Sequence, residues 1–299
     1  MKRIKLICLM VALLSGCLFT LVSCDKIEAP YTEGGNNIIT DSIPTFPALP
    51  STYFNKVLLE EYTGIKCVNC PTGSQIARNL KDLNGDTLVL MEVHCGDFAI
   101  PDATGNFTAE YRTQAGTAFD NKFGMSSAGL PDGMVNRVGY PTSANILYAS
   151  SWGGAVVTAK LKPITIAMQI INNYNQDNRI LKTFIKTTYK ANLTKNLMLS
   201  VLIVEDSIIS PQKNGNSAIG TTPEIIDYVH KHVLRDAINS TWGTALATTA
   251  VPVIRDSSVV KAFSYSVNPD WNDDHCSVYA FVYDNDTYEI YQIEELKLE

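Results

Sequence analysis

The stretch Lys56-Val57-Leu58-Leu59-Glu60-Glu61-Tyr62-Thr63-Gly64-Ile65-Lys66-Cys67-Val68-Asn69-Cys70-Pro71-Thr72-Gly73 decides the reading of this chain. It opens as an apolar strand, passes through a short turn, and brings two cysteines to the start of a helix. Cys67 and Cys70 are separated by two residues, so one thiol can meet the other. A helix N-terminus at that point also favours a thiolate. Pro71 suits the first helical turn, where its missing N–H costs nothing.

Working outward, Ile76, Leu80 and Leu83 recur at helical spacing and predict a helix over Cys70–Leu83. Asn84-Gly85-Asp86 is a turn. Thr87 to Val93 is apolar almost throughout, as expected of a strand covered on both faces of a parallel sheet. Phe107, Tyr111, Ala115, Ala118 and Phe119 predict a helical insertion over Phe107–Phe123. Leu130-Pro131-Asp132-Gly133 leads into a strand, and a helix around Ala144–Trp152 closes the unit. This is an α/β order.

Beyond Lys160 the pattern turns to strands. Ile164–Ile170, Ile180–Tyr189, Leu197–Val204, Val259–Val267, Ser277–Tyr283 and Glu289–Leu296 alternate or run apolar, with Asn175-Gln176-Asp177-Asn178 as a hairpin connection. Such a set predicts an antiparallel sandwich. Glu224–Ser240 reads equally as a helix or a long ordered loop. Trp152, Trp242, Trp271 and the Tyr-rich C-terminal strands read as core.

The N-terminus is an address. Lys2, Arg3 and Lys5 precede an apolar run from Leu6 to Val22. Leu21-Val22-Ser23-Cys24 resembles the lipobox of bacterial lipoproteins, which places the lipid on Cys24. Leu14-Ser15-Gly16-Cys17 also fits that pattern, but apolar residues follow it, whereas Asp25-Lys26-Ile27-Glu28 follows Cys24. Residues 1–23 are then a signal peptide. Residues 24–50, with Gly34-Gly35 and Pro44, Pro47 and Pro50, are a tether. After Leu6–Leu21 no apolar run is long enough to span a bilayer.

With 299 residues the chain is long enough for two domains, expected at 51–157 and 158–299. Apolar residues at 45% against 18% charged exclude a disordered chain. Cleavage before Cys24 removes three basic groups and no acidic one, leaving 21 basic against 30 acidic side chains. That balance argues against nucleic acid as a partner and leaves the acyl chains, not charge, to hold the protein at a membrane. Of seven cysteines, Cys67, Cys70, Cys95 and Cys276 remain in the mature body. Export permits disulfides there. Cys95 either pairs with Cys276 or is a buried thiol.

These segments carry a family resemblance. Strand, Cys67-Val68-Asn69-Cys70, helix and the later Leu130-Pro131 look like the thioredoxin fold, which sets a cis-proline against the CxxC pair. The closer resemblance is to the 28 kDa outer membrane protein family, lipoproteins of Bacteroidetes with a thioredoxin-like domain and a β-rich C-terminal domain. It rests on Leu58–Gly64, Cys67–Pro71, Pro131–Arg137, Tyr228–Arg235, Phe281-Val282-Tyr283 and Gln292. The implied architecture is an α/β thioredoxin-like domain followed by an all-β, Ig-like sandwich domain. The implied location is the outer membrane, lipid-anchored, on its periplasmic face or at the surface.

The resemblance makes Cys67 the attacking thiol, nearer solvent, and Cys70 the resolving one, exchanging with client protein thiols. Pro131 becomes the cis-proline that shapes the client groove. Glu61, six residues before Cys67, stands where thioredoxins keep a buried acid for proton transfer. Alternation groups Glu61 with Val57 and Leu59. Against this, Lys66 replaces the usual aromatic, although it could itself favour a thiolate. The alternative is a binding or structural lipoprotein, engaging an envelope protein, whose Cys67–Cys70 bond is static. His94 and Cys95 could join the CxxC pair in a zinc set, but strand neighbours point oppositely, so no metal is expected. His230 and His232 would share a strand face, with no third ligand evident nearby. No cofactor is expected.

Overall fold

Strand β1 (Val57–Thr63) is buried along its whole length. Its Leu58 and Tyr62 enter one core and its Val57 and Leu59 another, which is why apolar residues fall on both faces. The structure is a computed structural model that describes residues 42–298. The expected signal peptide, Cys24 and most of the tether lie outside the described residues.

Helix α1 (Cys70–Asn84) follows β1 and returns the chain to β2 (Leu88–His94), which pairs with β1 in parallel. Helices α2 (Gln114–Phe123) and α3 (Met125–Ala128) precede β3 (Asp132–Val135), which joins the other side of β1 in antiparallel. Strand β4 (Leu147–Tyr148) pairs with β3, and α4 (Ala149–Lys160) follows it. Trp152 and Val156 of α4 share a core with Ala77 of α1 and with Leu59, Leu88 and Leu90 of the sheet.

Two helices differ from their sequence-based limits. The insertion turns helical only at Gln114, where the Thr113 side chain accepts a hydrogen bond from Gly116 N. Phe107 and Tyr111 instead pack with Ile65 and Val233. The last helix begins at Ala149 rather than near Ala144, and runs on to Lys160.

The remainder is β-rich. Strands β5 (Ile166–Asn175) and β6 (Ile180–Tyr189) form the expected hairpin; β7 (Leu197–Glu205) follows. Four two-residue strands come next: β8 (Ile208–Ile209), β9 (Gln212–Lys213), β10 (Glu224–Ile225) and β11 (Val229–His230). Then come β12 (Val233–Ala237), β13 (Thr244–Ala247), β14 (Ser258–Ser266), β15 (Cys276–Asp284) and β16 (Ile290–Lys297). The undecided segment Glu224–Ser240 is therefore neither a helix nor a plain loop.

One sheet runs through both halves of the chain in the order β16-β15-β7-β12-β2-β1-β3-β4, with β13 also on β7. The division expected between residues 157 and 158 does not interrupt it, because β12 pairs with β2. Strands β14, β6 and β5 form a separate three-stranded sheet. Ile166, Leu181 and Ile185 of that sheet share a core with Leu199, Val201, Val278 and Ala280 of β7 and β15. The architecture is a mixed α/β part followed by a β-rich region.

The chain before β1 is not a free spacer at its end. The Pro47 carbonyl accepts a hydrogen bond from Gln169, and the Tyr53 hydroxyl donates to Glu294 at 2.7 Å. Beneath the central sheet, Arg137 makes two hydrogen bonds to Glu60, at 2.8 and 2.7 Å, both residues being fully enclosed. The rings of Phe119, Phe123 and Phe281 surround the guanidinium at 4.7–5.1 Å. A buried charge needs such a partner to persist.

Candidate functional site

Strand β1 delivers Thr63 to Gly64, whose backbone lies close to the Phe98 carbonyl. A Cβ on Gly64 would sit 2.6 Å from that carbon. The turn is held by Lys66 N donating to Phe98 O and Cys67 N donating to Gly64 O, both at 2.9 Å. Cys70 then starts α1, and Cys67 and Cys70 are joined by a disulfide with their Cα atoms 5.4 Å apart.

The pair does not face solvent as expected. Cys67 is 3% exposed and Cys70 1%. A strap from the C-terminal half is tied to the same loop. Gln212 donates from its amide to the carbonyls of Gly64 at 3.2 Å and Cys67 at 3.0 Å. Lys213 N donates to Ile65 O at 2.9 Å and Gly215 N to Val68 O at 2.8 Å. Asn216 donates to Thr72 Oγ1 at 3.2 Å. Only Val68 and Asn69 of the loop stay exposed. Lys66 turns to Asp102, 2.8 Å away, so its charge is already partnered.

Helix α1 also anchors a buried acid group. One turn beyond Cys70, Ser74 donates its hydroxyl to Glu61 Oε1 at 2.8 Å. Glu61 lies against α1, and burial followed by the nearby Glu92 raises its carboxyl well above the usual range. Burial pushes Glu92 up to about 7. Arg78, on the next turn, donates to the Tyr228 hydroxyl at 3.5 Å and favours the charged form of both acids.

Pro131 follows a cis peptide bond from Leu130 and packs on the same helix start. A Cβ added to Gly73 would lie 2.9 Å from two Pro131 side-chain carbons. The structure therefore brings Glu61, the disulfide's helix and Pro131 together around residues 70–74. Asp132, next in sequence, is pushed up to about 8 by burial and by Asp120.

Cys95 and Cys276 are both free and buried, and they belong to different cores, so they do not pair. Cys95 points away from His94, into the core of Phe119 and Met134. No Cys₃His set forms. His230 and His232 do not share a strand face, because β11 ends at His230 and His232, with a positive φ of 55°, lies between β11 and β12. Trp152 and Trp271 are buried and Trp242 packs against a core, as expected of framework residues.

Ser74, Arg78, Glu92 and Gln212 escaped the sequence reading, and Tyr228 entered it only within the Tyr228–Arg235 resemblance, without a role. Glu92 carried a usable signal, an acid alone inside an otherwise apolar strand. Gln212 carried none.

A mixed α/β chain with a disulfide at a helix start and a β-rich C-terminal region defines the class. The family model described as Outer membrane protein Omp28 matches residues 116–299, and the chain belongs to that family. Among solved structures, HBP35 of Porphyromonas gingivalis superposes with a TM-score of 0.61 at 15% identity, over 83% of this chain and 77% of that one. Protein AGR_C_4864 from Agrobacterium tumefaciens gives 0.50 at 11% identity, over 83% and 97%. A domain of the outer membrane lipoprotein Omp28 from Porphyromonas gingivalis gives 0.31 at 22% identity, over 46% and 91%. No curated protein matches the chain. Among the described residues no helix is long and apolar enough to cross a membrane.

Proposed function

We propose that this protein is an outer membrane lipoprotein, anchored by lipid on Cys24, whose Cys67–Cys70 bond is a structural staple and whose C-terminal region engages an envelope partner. The observation that carries this reading is the strap. Gln212, Lys213 and Gly215 hydrogen-bond the CxxC loop, and both cysteines of that loop are buried. A thiol meant for exchange is expected at an accessible position. We read the first part as thioredoxin-like, on the strand–CxxC–helix order, the parallel β1–β2 pair and the Leu130–Pro131 peptide beside Gly73. The facing sheets of the second part support an Ig-like sandwich.

A second reading has its own support, the high-pKa Glu61 bonded to Ser74 one turn from Cys70. In it the strap opens and a client thiolate attacks Cys67 Sγ. Cys70 leaves as a thiolate and takes a proton from Glu61. A second client thiolate then displaces Cys67, leaving a client disulfide and a reduced Cys67/Cys70 pair. The client loses two electrons and this protein gains them.

Reduction potential separates the two. The staple predicts a value below about −300 mV and no mixed disulfide trapped by Cys70→Ser in the cell envelope. A higher potential with a trapped client overturns it. Labelling with radioactive palmitate, abolished by Cys24→Ala, tests the anchor.

A further inference from the structure

On β2, Glu92 and His94 are two residues apart and so project to one face, the face on which α1 packs. The excursion between β7 and β12 brings His230 of β11 to the same place. Ligand atoms of Glu92, His94 and His230 all lie within 4.8 Å of one another. The three residues are 4%, 2% and 1% exposed.

The two imidazoles are short of partners. Neither ring nitrogen of His94 has a hydrogen-bond partner, and neither does His230 Nε2. Buried polar atoms almost always have one. Here two imidazoles that carry three orphaned nitrogens lie beside a carboxylate. The rings of Tyr111 and Tyr228 wall the group. Tyr111 lies 5.0 Å from the His94 ring and 5.2 Å from that of His230, and Tyr228 lies 4.8 Å from that of His230.

We propose that Glu92, His94 and His230 bind a divalent transition-metal ion of the zinc class. Two imidazoles and one carboxylate are a donor set suited to zinc, and they leave a fourth position open. Burial holds both histidines neutral, the form that coordinates. The Ser210 backbone meets the His230 ring, as an outer-shell partner that orients a ligand does.

Bonds of about 2.1 Å set tetrahedral donors roughly 3.4 Å apart, so the three side chains close in on the ion by small rotations. The ion replaces the proton on the Glu92 carboxyl, and that proton is released to solvent. Arg78 beside Glu92 and Arg235 beside His94 oppose the ion's charge, and the Glu92 carboxylate that binds the ion offsets part of that. The disulfide supplies no ligand, so the site is independent of whether that bond ever opens.

The test uses the full-length protein without a histidine tag, stripped with a chelator and titrated with Zn²⁺ against a chromogenic chelator. We expect one equivalent bound. His94→Gln and His230→Gln should each weaken binding about 100-fold or more, with the Cys67→Ser/Cys70→Ser variant unchanged. X-ray absorption of the zinc-loaded wild type should show imidazole and oxygen donors and no sulfur. Failure of the wild type to bind one equivalent overturns the proposal. So does undiminished binding in folded His94→Gln and His230→Gln, or a sulfur in the ion's shell. Should a variant fail to fold, by circular dichroism, the wild-type absorption spectrum still decides.

Discussion

Glu61 and Glu92 stand directly opposite each other on the parallel strands β1 and β2, both fully buried beneath α1. Two ionised carboxylates cannot share such a space cheaply; burial raises both groups, and the nearby Glu92 adds to the rise at Glu61. His230 next to them is driven the other way, down to about 4 by burial.

These opposed shifts give a pH prediction with a definite sign. Glu92 rises from an ordinary 4.5 to about 7, so its contribution is full below 4.5 and is lost as pH climbs to 7. His230 falls from 6.5 to about 4, so its contribution is full above 6.5 and is lost as pH drops to 4. In wild type the two slopes oppose each other. Glu92→Gln should therefore gain stability relative to wild type as pH rises from 4.5 to 7, by on the order of 1 kcal/mol per pH unit. His230→Gln should gain relative to wild type as pH falls from 6.5 to 4. Urea unfolding at four pH values, with a chelator present, measures both differences.

The Arg137–Glu60 pair makes a second prediction. Arg137→Met leaves the Glu60 carboxylate enclosed without a counter-charge and should cost about 3–5 kcal/mol. Adding Glu60→Leu should restore a large part of that loss, since no charge then remains in the ring-lined site. Equilibrium denaturation of the single and double variants checks it.

The strap over the disulfide can be loosened without touching sulfur. Gln212→Ala removes two hydrogen bonds to the CxxC loop. At about 1 kcal/mol each, their loss should speed reduction of Cys67–Cys70 by dithiothreitol at least tenfold. The readout is thiol alkylation followed by mass spectrometry against time. An unchanged rate would show that the strap does not limit access.

Gly73→Ala should be destabilising because its Cβ meets Pro131 at 2.9 Å. Overpacking of this kind costs about 1–3 kcal/mol. Thermal unfolding reports the loss, and Gly154→Ala, where the added Cβ meets open space, is the control.

Local patterns in the chain were legible where neighbours in sequence are also neighbours in space. The periodicity of Ile76, Leu80 and Leu83 placed α1 within a residue of its observed end at Asn84. Alternation set Glu61 on the Val57 and Leu59 face, where the structure has it under α1. The same logic misled at Phe107 and Tyr111. Their spacing imitates a helix, but both pack with Ile65 and Val233, and Tyr111 also against the two histidines, rather than in a helical turn.

What the amino-acid order determined by itself is the β1–turn–α1 unit, with Cys67 and Cys70 close enough to bond and a strand-rich second half. Only the tertiary structure decided what surrounds that unit. Strand β12 inserts beside β2, and the segment leading to it lays Gln212 over the cysteines and His230 beside Glu92 and His94. No propensity or spacing encodes a contact between residues more than a hundred positions apart. It arises because β2 needs a hydrogen-bonding neighbour on its open edge, and β12 supplies it.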